Sequence, residues 1–303
     1  MLVTGDLYLL TESRYEAPKK IDWYIEQILT EDRLVQEALE RAGWRVQRVD
    51  WSRSDIDWSA ARAGIFRTTW DYFHQYPAFQ SWLDRVSMQL PLFNTAELAR
   101  WNMDKHYLRD LAKAGINIPP TVFIEAGDRR SLRAWHTETG WTETVLKPAV
   151  SGAGRHTYRL DPGNWSAYED LYQSLIAQEA MLLQVFQTDV VETGELALMV
   201  IDGQVTHAVK KVAKPGEFRV QDDFGGTVHP HEPTAAEIQF AERAVAACPE
   251  PPVYARVDLF RDNDGQLALA ELELIEPEMW FRHHPPAAEA LARAISRRLN
   301  APA

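Results

Sequence analysis

The sequence contains little cysteine and fewer basic than acidic residues. Its single cysteine, Cys248, cannot form an internal disulfide, which agrees with a reducing compartment. There are 32 Lys and Arg against 44 Asp and Glu, so the formal net charge is −12. Binding to a phosphate backbone requires clustered positive charge, so nucleic acids and anionic membrane surfaces are poor candidates for partners.

Long hydrophobic runs are missing as well. No apolar stretch approaches the ~20 residues of a membrane span, and the first residues lack the basic region of a signal peptide. We therefore expect a cytoplasmic protein. Its 303 residues, 46% of them hydrophobic, are enough for domains with substantial cores.

The first third alternates between strand and helix patterns. Short strands are predicted at 7–10, 44–49 and 63–67, and helices at 31–41 and 59–63. This order predicts a parallel sheet, in which ligands bind at the carboxyl ends of the strands.

Polar residues follow the third predicted strand, where such a ligand would lie. They are Arg67, Thr68 and Asp71. Alternatively, the aromatic residues Trp70 and Tyr72 only anchor a loop there, and the sequence leaves both interpretations open.

The pattern changes near residue 100, where we place a domain boundary. Beyond it, apolar strands are joined by tight turns with Asp-Gly, which predicts an α+β architecture with antiparallel pairing. The predicted domains are an N-terminal α/β domain at 1–100 and two α+β subdomains at 101–185 and 186–303.

Two predicted strands near the C-terminus carry acidic residues on otherwise apolar elements. Asp258 shares one strand face with Arg256, and Glu271 and Glu273 share a face of the next strand. Like charges are costly to bury side by side, so a cation is expected between them. Oxygen ligands without Cys or His suit Mg²⁺ or Mn²⁺ better than Zn²⁺. The alternative is a solvated edge strand, or acids that pair with Arg256 alone.

A lysine on another apolar strand precedes a loop of small residues. Lys147 is followed by Ser151, Gly152, Ala153 and Gly154. Small residues let backbone N–H groups approach phosphate oxygens. The loop matches neither a Walker A nor a Rossmann motif, and taken alone it could be an ordinary hairpin turn.

A third pattern combines a buried strand with an acidic turn. Backbone groups at Gln184, Val185 and Phe186 could receive an adenine edge, and Glu192 or Glu195 could bond ribose hydroxyls. In isolation, these residues are more simply a buried strand and a polar turn.

A basic stretch that includes Lys210 and Arg219 precedes a glycine pair. It suits an anionic substrate or a transferred phosphoryl group. A solvated charged loop is an equal alternative.

In their order, these motifs resemble the ATP-grasp superfamily, in its glutathione synthetase-like branch. The similarity covers nearly the whole chain and implies an α/β domain followed by two α+β ATP-grasp subdomains that hold the nucleotide between them. It rests on RTTWDYF at 67–73, WNMDKHYLRDLAKAG at 101–115, VLKPAVSGAG at 145–154, GELALMVIDG at 194–203, HAVKK at 207–211, EFRV at 217–220 and ARVDLF…ELELIEP at 255–277.

The resemblance implies a role for each candidate residue. The nucleotide would be bound by Lys105, Lys147, the loop 151–154, the adenine hinge 184–186, and Glu195 or Glu192 at the ribose. Two Mg²⁺ ions, or Mn²⁺, would be held by Asp258, Glu271 and Glu273. The substrate carboxylate and the departing phosphoryl charge would be steadied by Arg219, Lys210 and Arg256.

The implied activity is ATP-dependent ligation. A carboxylate of an amino-acid-like small molecule becomes an acyl phosphate, an amine attacks it, and ADP and phosphate are released. The bond forms between two molecules or closes a ring, and a homo-oligomer is compatible with the sequence. The alternative is a regulatory or degenerate nucleotide-binding member without ligase turnover, which the presence of both lysines and all three carboxylates opposes.

The chain departs from the family pattern in three places. Many members have Glu-x-Asn where this chain has Glu-Leu-Glu at 271–273, which adds negative charge. Glutathione synthetases have an Arg after the ribose acid where this chain has Leu196 and Ala197, so glutathione precursors are not expected as substrates. The segment 11–24 is longer than usual and is either a substrate lid or a variable surface loop.

Overall fold

The computed structural model describes residues 6–220 and 225–301, which contain three β-sheets. The first sheet is parallel, and the other two are antiparallel. This arrangement confirms the predicted α/β domain followed by α+β architecture. None of the described helices is both long and apolar enough to cross a membrane.

The parallel sheet has the strand order β2-β1-β3-β4. Its strands are β1 (Asp6–Thr11), β2 (Arg45–Asp50), β3 (Ala63–Thr68) and β4 (Leu92–Phe93). The helices of this part are α1 (Ser13–Glu16), α2 (Trp23–Arg41) and α3 (Tyr76–Val86). Helix α2 begins earlier than predicted because the Asp22 carboxylate accepts a hydrogen bond from the N–H of Ile25 at 2.9 Å and caps the first turn.

The helix predicted at 59–63 is wrong. Only a single 3₁₀ turn forms there, at Trp58–Ala60. The Asp57 carboxylate accepts from the N–H of Ser59, and the backbone is already extended at Ala61, so the chain enters β3 directly. Three residues are too few to propagate an α-helix.

The middle sheet has the order β5-β8-β6-β7. Its strands are β5 (Thr121–Ile124), β6 (Thr144–Pro148), β7 (Tyr158–Leu160) and β8 (Met181–Val185). Helices α4 (Ala96–Asn102) and α5 (Tyr107–Lys113) precede its first strand in the sequence. Helix α6 (Leu132–Thr139) connects β5 to β6, and helix α7 (Trp165–Ile176) connects β7 to β8. Side chains of α6 and α7 form one core cluster with this sheet.

The third sheet has the order β11-β10-β9-β12-β13. Its strands are β9 (Glu195–Ile201), β10 (Gln204–Val212), β11 (Thr227–His231), β12 (Tyr254–Arg261) and β13 (Leu267–Glu273). The accompanying helices are α8 (Asp189–Glu192), α9 (Ala235–Ala246) and α10 (Pro286–Asn300).

The two faces of this sheet bury different cores. Leu198 and Val257 pack in one cluster with α9, whereas Ala197 and Met199 pack in another with the parallel sheet, α2 and α10. The alternation of side chains along β9 therefore decides which residues face the N-terminal part.

Candidate active site

A row of charged side chains crosses one face of the five-stranded sheet. The Lys211 Nζ lies 2.5 Å from the Glu195 Oε1 and 2.7 Å from the Asp258 Oδ2. The Arg256 guanidinium donates to both oxygens of Asp258, at 2.9 and 2.8 Å, and forms an ion pair with Glu273. Acids and bases thus alternate along the row.

Strand register places these residues together. Lys211 lies opposite Glu195 on the β10–β9 ladder, and Arg256 lies opposite Glu273 on the β12–β13 ladder. Directly opposed side chains share a face and are close neighbours. The row follows from the alternation of side chains along adjacent strands.

Burial and pairing act on the acids in opposite directions. Burial alone would raise the pKa of Asp258, but Arg256 and Lys211 outweigh it and hold the pKa below its usual value. Burial raises the pKa of Glu195 despite its pairing with Lys211. Burial also raises the pKa of Glu273 to about 7, against the opposing effect of Arg256.

Two lysines approach the row from the middle part of the chain. The Lys105 Nζ lies 2.8 Å from the Glu271 Oε1 and donates to the Ser151 carbonyl at 2.7 Å. The Lys147 Nζ donates to the Gln184 Oε1 at 3.3 Å. Burial lowers the pKa of Lys147, although the charge of Glu271 partly offsets this effect. Both predicted lysines therefore lie beside acids of the row or residues of the hinge.

The loop after β6 is tightly folded. Gly152 lies so close to Phe73 that a Cβ at this position would lie 2.6 Å from the Phe73 Cε1. Ala153 has φ 49° and Gly154 has φ 67°. The Ser151 hydroxyl donates to the Arg155 carbonyl at 3.0 Å. Gly152 of the predicted phosphate loop is thus packed against an aromatic ring of the N-terminal part.

The segment predicted as an adenine hinge borders a cavity of about 340 Å³. The N–H groups of Val185 and Phe186 already donate to the carbonyls of Pro120 and Glu143, each at 3.0 Å. The next residue, Gln187, is buried, and its side-chain amide donates to the Val185 carbonyl at 2.9 Å.

Within the described residues, the backbone N–H of Gln187 has no hydrogen-bond acceptor. Gln187 therefore offers an unpaired backbone donor one residue beyond the predicted hinge at 184–186. The sequence contains no signal for this donor. Gln187 differs from Val185 and Phe186 only because their N–H groups already have acceptors in the folded chain.

Three predicted residues lie outside the charged row. Lys210 is on the opposite face of β10 from Lys211, and no ion pair joins it to another described residue. Arg219 pairs with Glu217 at 2.7 Å, in the stretch before the glycine pair. Glu192 is exposed at the end of α8.

Lys211, and not Lys210, is therefore the lysine of this motif that joins the charged row. The pattern His-Ala-Val-Lys-Lys places one lysine on each face of the strand. A register irregularity between Val205 and His207 makes the choice of face unpredictable from the alternation alone.

The polar residues at the end of β3 and in the turn after it have structural partners. The Arg67 Nε donates to Asp32 at 3.2 Å, and the Asp71 carboxylate accepts from the Trp51 indole at 2.7 Å. The Trp70 indole donates to the carbonyl of Glu276 at 2.8 Å, so this aromatic residue anchors a loop. Burial raises the pKa of the Cys248 thiol to about 12.

The acids suit a hard divalent cation in their chemistry. Asp258 and Glu271 are directly opposed on β12 and β13, and both offer only oxygen. In the described part of the chain, no three acidic, His or Cys side chains converge on one point. Protein cations hold these oxygens instead, with Lys211 and Arg256 on Asp258 and Lys105 on Glu271.

Two family models match the chain. They are the N-terminal domain of D-cycloserine synthetase DcsG, over residues 7–94, and the ATP-grasp domain of prokaryotic glutathione synthetase, over residues 112–249. The cycloserine biosynthesis protein DcsG of Streptomyces lavendulae is 30% identical over 318 residues, which span 98% of this chain and 99% of that protein. Glutathione synthetase of Synechocystis is 31% identical over 124 residues, 40% of this chain and 37% of its own.

Solved structures agree with these matches. The crystal structure of D-cycloserine synthetase DcsG has a TM-score of 0.86 at 27% identity and covers 98% of this chain and 100% of its own. The D-alanine–D-alanine ligase of Bacillus anthracis has a TM-score of 0.65 at 13% identity, with 97% of each chain covered, and shows a shared fold alone.

The chain therefore belongs to the ATP-grasp family, whose members use ATP, and it is an ADP-forming carboxylate–amine ligase of biosynthesis. Its similarity to DcsG extends over the N-terminal part as well as the ATP-grasp part.

Proposed function

We propose that the chain binds ATP between the middle sheet and the five-stranded sheet and uses it to activate the carboxylate of an amino-acid-like small molecule. An amine then attacks the acyl phosphate, and ADP and phosphate leave. The observation that carries this proposal is the meeting of Lys105 with Glu271 and Ser151, which joins the predicted phosphate loop to the predicted metal acids.

The domains 1–100, 101–185 and 186–303 are proposed as the units of this arrangement. Each range contains one of the three sheets, which supports the boundaries. A nucleotide held between the second and third units would contact residues of both.

Each nucleotide contact has a proposed residue. Lys105, Lys147 and the loop 151–154 bind the phosphates. The adenine edge lies against 184–186, with Gln187 added as donor. Glu195 is the ribose acid, and the exposed Glu192 is the second candidate for that role.

Asp258, Glu271 and Glu273 are the proposed ligands of Mg²⁺, with Mn²⁺ as the substitute. Bound there with ATP, the ion would neutralise phosphate charge. The protein cations that now hold these acids must give way in part, and Lys105 is placed to exchange the Glu271 carboxylate for a phosphate oxygen.

Arg256 is proposed to steady the charge that develops on the reacting carboxylate. Its guanidinium is fixed by Asp258 and Glu273, so it is already oriented before substrate arrives. Lys210 and Arg219 stay as proposed contacts of the departing phosphoryl group. Lys211 is placed to orient Glu195 and Asp258.

The proposed substrates are a carboxylate and an amine that one molecule carries together, so that ligation closes a ring. This choice is supported by the similarity to D-cycloserine synthetase along the full chain, including its N-terminal domain. Intermolecular ligation is the second candidate, supported by the fold shared with D-alanine–D-alanine ligase. The cytoplasm is the proposed location.

The test is a screen of purified protein with ATP and Mg²⁺ against amino acids and their O- and N-substituted derivatives. We expect ADP release with at least one compound, and a product whose mass equals that of the substrate less one water. AMP release would contradict the proposed reaction. Binding of ADP without ADP release from ATP for any compound would favour the nucleotide-binding protein without turnover.

A further inference from the structure

Glu276, in the loop after β13, is an acid of this region without a cation. Within residues 6–220 and 225–301 its side chain forms no ion pair, and it accepts a hydrogen bond only from its own backbone N–H. The acids around it all have a basic partner: Glu195 with Lys211, Asp258 with Arg256, Glu271 with Lys105, Glu273 with Arg256 and Glu278 with Arg282.

The backbone around Glu276 is firmly held. The Trp70 indole donates to its carbonyl at 2.8 Å, and the Tyr254 hydroxyl donates to the carbonyl of Ile275 at 2.7 Å. Asn102 accepts from the N–H of Leu274 at 2.8 Å. The missing partner is therefore not the result of a loosely placed loop.

Its surroundings place Glu276 between the N-terminal part and the charged row. Burial, followed by the charge of Glu276, raises the pKa of Tyr72, in the turn Tyr72–His74 after β3. The pKa of Glu276 itself is raised by burial and by Glu273, while Lys105 opposes the shift. Glu276 thus interacts electrostatically with residues from all three parts of the chain.

Burial without a cation partner disfavours the ionised form of Glu276, which is why its pKa is raised. A cation or N–H group beside it would favour the carboxylate, whose two oxygens only accept hydrogen bonds. A substrate carboxylate or phosphate would be repelled at this place. An ammonium or another N–H group would supply the missing partner.

We propose that Glu276 is a substrate-binding residue that holds the amine end of the substrate, as an ammonium or a neutral N–H group. The inference rests on the proposed function, since it assumes that an amine must be presented to the activated carboxylate. The chemistry that Glu276 selects is a nitrogen donor, whether it belongs to a second molecule or to the far end of the same one.

The test compares the wild type with Glu276→Gln, which keeps the shape and removes the charge. The probe is the compound that gives the most ADP in the screen with wild-type protein. We expect KM for this compound to rise about tenfold, because the Gln oxygen still accepts a hydrogen bond but without the negative charge that strengthens it. The affinity for ADP with Mg²⁺, measured by calorimetry, should stay within twofold.

The matched control is Glu278→Gln, the same substitution two residues further on, at an acid that is paired with Arg282. It should leave KM within threefold of the wild-type value. Thermal unfolding of each variant verifies that the fold persists, and Glu276→Asp replaces the Gln variant where it does not.

Two results would overturn the inference. One is a KM within threefold of the wild-type value in the Glu276 variant. The other is a loss of ADP affinity that appears only with Mg²⁺, which would make Glu276 a metal ligand. Failure of the wild type to release ADP with any compound would instead contradict the proposed function.

Discussion

Lys211 shows what a single residue does in this molecule. Its ammonium group forms ion pairs with both Glu195 and Asp258, and the residue is almost completely buried. Burial opposes the charge, but the two acids outweigh it and raise the pKa of Lys211. The two acids therefore favour the charged form of this buried lysine.

Removing this cation should destabilise the fold. In Lys211→Met, two buried acids lose their shared partner, and we expect the free energy of unfolding in urea to fall by about 3 kcal/mol. Lys210→Met is the control, because Lys210 has no ion pair with a described residue and is only partly buried. Equal stability of the two variants would contradict the pairing described for Lys211.

At the scale of elements, the phosphate loop and the turn after β3 depend on each other. Phe73 belongs to the turn Tyr72–His74, and its ring covers Gly152. An alanine at 152 would force the loop or the ring to move, because the nearest ring carbons are closer than any ordinary contact.

Gly152→Ala should lower the affinity for ADP with Mg²⁺ about tenfold, since the loop is displaced from the phosphates. Phe73→Ala in the same chain removes the ring and should restore most of the affinity. Gly163→Ala is the control, because its Cβ would meet only the Asp161 side chain. A double variant as weak as Gly152→Ala would show that the contact does not position the loop.

The sequence predicted the strands better than the helices. The apolar runs of β6, β8 and β12 predict these strands, and turn residues follow β6 and β12. Helix α9 was not assigned, although Thr234 and Glu237 form a capping box that marks its start. This signal is local, so the start of α9 is predictable from the sequence.

The contacts between distant segments could not be predicted in the same way. Asn94 donates to the carbonyls of Tyr254 and Leu274, and the Tyr254 hydroxyl donates to the carbonyl of Phe66. Such bonds join residues more than a hundred positions apart and carry no sequence pattern. The same is true of the candidate site. The sequence motifs predict Lys105 and the acids, whereas the roles proposed for Lys211, Gln187 and Glu276 depend on which hydrogen bonds and ion pairs the folded chain forms.

For the whole molecule, His207 links the five-stranded sheet to the loop after β13. Its Nε2 donates to the Met279 carbonyl at 2.8 Å, and its Nδ1 accepts from the Thr206 hydroxyl at 2.9 Å. The ring also stacks on His284. Burial lowers the pKa of His207 from 6.5 to about 4.

This shift makes stability depend on pH. Between pH 6.5 and about 4 the unfolded chain binds a proton at His207 that the folded chain does not. The free energy of unfolding should fall by up to about 3 kcal/mol as the pH decreases through this range. In His207→Gln this part of the pH dependence disappears, whereas His229→Gln, at an exposed position, keeps it. Parallel pH profiles for wild type and His207→Gln would contradict the neutral, buried state of the ring.

The central claim for the whole molecule is that the substrate carboxylate becomes an acyl phosphate. The most direct measurement uses the substrate from the screen with ¹⁸O in its carboxylate and follows the phosphate by mass spectrometry. We expect each turnover to transfer one ¹⁸O atom to the released phosphate, because the carboxylate oxygen that attacks ATP leaves with the phosphate. Phosphate without label, released together with the ligated product, would contradict it.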